Sequence, residues 1–105
     1  MKVKIPKKIK TLTHTYKIRF DEKQLLSSGT MGLTRHLYQE IILDNKSTPK
    51  SELDQIFLHE YIHVIERHFC VKLDDADVER LSEGLAELLF NNLNLEFDWS
   101  LIKEE

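Results

Sequence analysis

At 105 residues, with 41% apolar and 31% charged side chains and a net charge of −3, the chain is sized for one globular domain and is neither a polycation nor an acidic tail. A lone cysteine, Cys70, excludes an internal disulfide framework and a zinc site built on several thiolates, and it fits a reducing cytosol. No apolar run reaches membrane-spanning length, and the basic start MKVKIPKKIK lacks the apolar stretch of a secretory signal, so a cytoplasmic protein with no membrane partner is expected.

The charge is unevenly spread. Residues 1–50 carry 11 Lys/Arg against 4 Asp/Glu, and residues 51–105 carry 4 against 14. Lysines alternating on an edge strand guard against strand-to-strand aggregation, so mutual neutralisation of the two halves is favoured over a nucleic-acid partner.

Residues 8–20, KIKTLTHTYKIRF, are rich in β-branched and aromatic residues and read as strand. Residues 21–26 form a short helix or turn, and SSGTMG, residues 27–32, reads as a loop. Residues 33–43 are expected to be a second strand or a hairpin, with Leu37, Ile41 and Leu43 on one face. Thr48 is the expected N-cap of a long helix with Pro49 at its first position, running to about Phe69. After a short connection, Asp74 or Asp75 caps a second helix over residues 76–92. Its apolar face would hold Val78, Leu81, Leu85, Leu88 and Leu89. Gly84 inside that helix suggests a close helix contact or a tight approach to a site. The tail should dock Leu95, Phe97 and Trp99. Strands first and then two helices joined by a short turn give an α+β fold: a small N-terminal sheet packed on an antiparallel pair of helices, in a single domain spanning residues 1–105.

The chemistry lies in LHEYIHVIERHFC, residues 58–70. The first long helix is apolar over more than half its circumference, and its polar strip contains Gln55, His59, Glu60, His63, Glu66 and Arg67. His59 and His63 stand one turn apart, about 6 Å along the axis, the separation at which two imidazoles grip one ion. Glu60, about a quarter turn away, reaches a metal-activated water without being a ligand. H-E-x-x-H thus provides two ligands and one base on a rigid rod, the pattern of a zinc hydrolase. His68 points away from His59 and falls one residue short of the third ligand in the extended H-E-x-x-H-x-x-G-x-x-H pattern, so it reads as a surface or core-edge residue. Cys70 lies too far along the rod to share the ion and reads as a small buried hydrophobe. The third ligand should come from the returning helix. Glu79 borders its apolar face and is favoured over Glu83. An extended peptide substrate would add to the strand at residues 39–43.

The T-P-x-x-E-x-x-x-x-x-x-H-E-x-x-H stretch followed by VERLSEGLAELL resembles the small phage and prophage zinc metallopeptidases related to the ImmA/IrrE group, over roughly residues 30–92. The resemblance implies a minimal zincin-like (gluzincin) domain. Its metal ligands would be His59, His63 and a glutamate of the next helix, matched by Glu79, with Zn²⁺ as cofactor and Glu60 as catalytic base. It further implies a bacterial or phage cytoplasmic setting and a protein or peptide substrate such as a phage-type repressor. The alternative is a non-catalytic, metal-stabilised protein-binding module.

Overall fold

A computed structural model describes residues 1–102. The elements in chain order are β1 (Lys2–Lys4), β2 (Lys8–Thr11), β3 (His14–Phe20), α1 (Glu22–Ser28), β4 (Leu33–Arg35), β5 (Glu40–Leu43), α2 (Lys50–Phe69), α3 (Asp75–Ala86), a π-helical segment (Glu87–Asn92) and β6 (Glu96–Asp98). The α+β architecture expected from the pattern is present: a four-stranded sheet lies against α2, and α2 in turn packs on α3.

The sheet runs in the order β2-β3-β5-β4. β2 and β3 form an antiparallel hairpin turning at Leu12, whose φ of 56° is left-handed. β3 pairs in parallel with β5, with Ile18 opposite Ile41 and Phe20 opposite Leu43. Period-two alternation sends Tyr16, Ile18, Phe20, Ile41 and Leu43 to one face, where they meet Leu53, Phe57 and Val64 of α2 in the main core. The other face carries Ile42, fully buried beneath α1, whose Leu25 is also buried. Asp21 caps α1 by accepting from the Gln24 amide, and Gly29 ends it in a left-handed conformation.

Residues 33–43 are the hairpin form of the expected element. Leu37 is not on its buried face: it lies in the turn between β4 and β5 and is 89% exposed. The long helix begins at Lys50, with Pro49 rather than Thr48 in the cap position and no side-chain cap bond. Pro49 holds an extended ψ of 150° and its carbonyl accepts from the Leu53 amide, so the chain turns helical one residue later than expected. Cys70 is exposed, not buried. It ends α2 with φ 56°, and that left-handed turn swings it off the packed face.

Asp74 caps α3 through the Asp77 amide. The expected apolar face of this helix does not dock as a unit. Val78 and the fully buried Ser82 face inward, and Ser82 is small enough for close approach, whereas Leu81, Leu85 and Leu88 are exposed. Gly84 meets nothing among the described residues: a Cβ there would have no such neighbour within 4 Å, so neither a helix contact nor a site approach explains it. The helix loosens into a π-segment from Glu87 instead of continuing regularly to residue 92.

The tail docks as expected, and it does so as a strand. β6 pairs in parallel with β1, Phe97 enters the core, and the Trp99 indole N–H donates to the buried Asp54 carboxylate at 2.7 Å. Among the described residues no helix is long and apolar enough to cross a membrane.

One polar cluster ties β3, the β4–β5 turn and the end of α2 together. The buried Tyr16 hydroxyl lies 2.8 Å from both His36 Nδ1 and His68 Nε2, and His14 stacks on His68 with ring centroids 4.2 Å apart. A hydroxyl has one proton, so one imidazole must accept it while the other donates. Burial holds His36 below its ordinary pKa, helped by Arg67, His68 and His63 and opposed by Glu66. Burial also lowers His68, with His14 and Arg67 adding to the effect. The unfolded chain therefore binds protons before the folded one. Stability from this cluster is fully present above the unfolded value of 6.5 and is lost as the pH falls below it. Thermal melts of the metal-free protein should show a lower Tm at pH 5.5 than at pH 7.5. The difference should shrink when His36 and His68 are both replaced by Gln.

Candidate metal centre

α2 carries the site because its apolar side is fixed in the core. With Leu53, Phe57 and Val64 buried, its polar strip must face the groove beside α3 and β4. His59 and His63 lie one turn apart, with ring centroids at 5.0 Å and planes at 73°. Ligand-capable atoms of His59, Glu60 and His63 all lie within 4.8 Å of one another. A metal bound at 2.0–2.2 Å needs donors about 3–4 Å apart, a spacing small side-chain rotations would reach from here.

Each imidazole is held from behind. His59 Nδ1 lies 3.1 Å from Glu79 Oε2, and His63 Nδ1 lies 2.8 Å from Glu66 Oε1. An ionised carboxylate can only accept, so both Nδ1 atoms carry the hydrogen. The lone pair of each ring then sits on Nε2, the state a metal-binding histidine requires. On this donor chemistry the residues fit a zinc ion.

Glu60 is 6% exposed and rigidly placed. The Thr34 hydroxyl donates to it, 2.7 Å from Oε1 and 3.1 Å from its backbone oxygen. Gly32 presses on it from the other side: a Cβ at this position would stand 2.5 Å from Ile56 Cγ2 and 3.2 Å from both Glu60 Cγ and Oε2. The methyl of a β-branched helical residue cannot rotate away. Gly32→Ala is therefore expected to cost about 1–3 kcal/mol through overpacking, measurable by urea unfolding, and to displace the Glu60 carboxylate.

A cleft of about 560 Å³ opens over this face, lined among others by Met31, Gly32, Ile56, His59, Glu60 and Glu79. Glu79 therefore lies at the site, in contact with His59. Glu83 instead lines a separate cleft with Lys50 and Asp54. Glu79 is outside the His59–Glu60–His63 group of mutually close atoms, and its side chain is 53% exposed.

The strand expected to receive a peptide, residues 39–43, cannot do so. β5 is paired on both sides, by β3 and β4, and its backbone groups are spent. The free edge next to the site is β4, Leu33–Arg35, which carries Thr34. Sequence reasoning missed Gly32 and Thr34, which lie in or just after the stretch read as a plain loop and gain meaning only through α2. It placed Glu66 on the polar strip without a role, although its spacing of three from His63 was a usable signal.

No family model, curated protein or solved structure matches the chain.

Proposed function

We propose that the chain is a zinc-dependent metallopeptidase of the H-E-x-x-H type. It would act in the cytoplasm on a peptide bond of a protein substrate, with a phage-type repressor the substrate that the family resemblance suggests. The observation that carries this reading is the convergence of His59, Glu60 and His63 within 4.8 Å, with His59 and Glu60 lining the cleft and His63 backed by the Glu66 carboxylate. His59 and His63 would hold the ion through Nε2. Glu79 is the proposed third ligand, a role that takes its exposed carboxylate off His59 Nδ1 and round to the Nε2 side, so that it backs that imidazole only while no ion is bound. When bound, zinc supplies Lewis acidity, lowering the pKa of a water and polarising the scissile carbonyl. Glu60 takes the proton of the attacking water and passes it to the leaving amine. Thr34 and Gly32 keep its carboxylate in one place for both transfers. The open edge of β4 accepts an extended peptide by main-chain hydrogen bonding, in the role expected of residues 39–43.

A second reading, a non-catalytic metal-stabilised binding module, draws on the deep burial of Glu60. Incubation of candidate repressors and unstructured proteins with zinc-loaded and chelator-treated protein separates the two. Zinc-dependent cleavage supports the peptidase. Zinc binding with every substrate left intact supports the module, and protein that binds no zinc removes both.

A further inference from the structure

Beside the candidate centre, Glu66 is held at both of its carboxylate oxygens. It follows His63 by three residues, close to one turn of α2, and its side chain is 18% exposed. Both of its oxygens are used. Oε1 accepts from His63 Nδ1 at 2.8 Å, and Oε2 accepts from the backbone amide of Leu73 at 3.1 Å. Leu73 belongs to the connection between α2 and α3, just before the Asp74 cap. One carboxylate therefore joins a candidate ligand to the segment that aims α3, and with it Glu79, back along α2.

An ordinary i,i+3 pair on a helix surface is a solvated contact of a few tenths of a kcal/mol, in which the acid is free to rotate. Glu66 differs in two respects. The Leu73 amide fixes its second oxygen, so the first cannot swing off the imidazole without giving up a backbone partner. And because the carboxylate only accepts, it dictates which ring nitrogen of His63 carries hydrogen.

We infer that Glu66 is a positioning residue: it orients the His63 ring with Nε2 toward the metal and couples that orientation to the α2–α3 connection. This inference rests on the metal-binding reading of the site. Loss of such a hydrogen-bond partner typically weakens metal affinity about 10–100-fold. Glutamine cannot replace it, because one end of its amide is a donor. Its oxygen can keep the Leu73 amide only if its NH2 faces His63, which forces the hydrogen of that ring onto Nε2.

The test uses the whole chain as wild type, Glu66→Gln, Glu66→Asp and the charge-matched control Glu96→Gln, with circular dichroism confirming the fold of each. Zinc affinity is measured by competition with a chromophoric chelator, and the His63 tautomer by ¹⁵N NMR of the metal-free protein. The expected result is an Nδ1–H tautomer at His63 in wild type and in Glu96→Gln, and a mixture of tautomers in Glu66→Gln. Zinc affinity should fall about 10–100-fold in Glu66→Gln and in the shorter Glu66→Asp, and stay within twofold in Glu96→Gln. If Glu66→Gln does not fold, Glu66→Asp carries the test, because it keeps the charge and withdraws only the reach. Wild-type protein that binds zinc while a folded Glu66 variant binds it equally well overturns this inference alone. Wild-type protein that binds no zinc overturns the metal reading and the inference with it.

Discussion

Glu60→Gln is expected to leave zinc binding intact and to lower peptide cleavage by about 10²–10⁴-fold, the usual contribution of a positioned general base. The substitution changes little else. Glutamine has the same shape, and its carbonyl oxygen can still accept from the Thr34 hydroxyl that holds Glu60 Oε1 at 2.7 Å. The space under Gly32 stays filled, so no cavity opens beside Ile56. What disappears is the ability to take a proton. Alanine would be a poorer probe, since it would free the buried site to collapse and mix stability with chemistry. The check is a cleavage time course with equal zinc loading of the two proteins. Equal rates would rule out Glu60 as the base, and with it the hydrolytic mechanism.

Zinc should raise the melting temperature strongly, and a chelator should reverse the rise. An ion that binds only the folded chain stabilises it by about 4.1 kcal/mol at a free concentration 1,000 times its Kd. At about 4–8 °C per kcal/mol for a domain near this size, the Tm should increase on the order of 15 °C or more. The effect is large because His59 and His63 are one turn apart on one helix while Glu79 comes from another, so the ion would bridge elements that only folding brings together. His59→Ala and His63→Ala should each abolish the zinc-dependent increment. Glu79→Gln should remove most of it, and Glu83→Gln should leave it unchanged, because Glu83 lines the other cleft. Differential scanning fluorimetry with and without zinc and chelator reads all four. An unchanged Tm in wild type would mean that this strip of histidines is an ordinary polar seam.

Legibility differed from residue to residue for physical reasons. The H-E-x-x-H spacing could be read directly because a helix is a local structure: a separation of four places two side chains on one face whatever surrounds them. Docking of Phe97 and Trp99 was legible because large aromatic side chains near a chain end seldom stay in water. Strand pairing was not legible. Residues 39–43 look equally strand-like at an edge or in the middle, and only pairing with β3 on one side and β4 on the other uses both edges of β5. The rotation of α3 was also hidden. Of the expected face, Val78 is buried and Leu89 packs against the core, but the helix docks through Val78 and Ser82 and leaves Leu81, Leu85 and Leu88 exposed. Cys70 was misread for a similar reason, because a helical wheel cannot foresee the left-handed residue that ends the helix.

By itself the sequence determined the α+β class, the long amphipathic rod, and two imidazoles with a carboxylate between them on its polar strip. Each of these depends on contacts between neighbours a few residues apart. The helical pattern already favoured Glu79 over Glu83; tertiary structure decided that its carboxylate meets His59 at Nδ1, that Thr34 and Gly32 close on Glu60, and that β4 is the open edge. Those depend on how helices rotate and strands choose partners when the whole core packs, which no local pattern encodes.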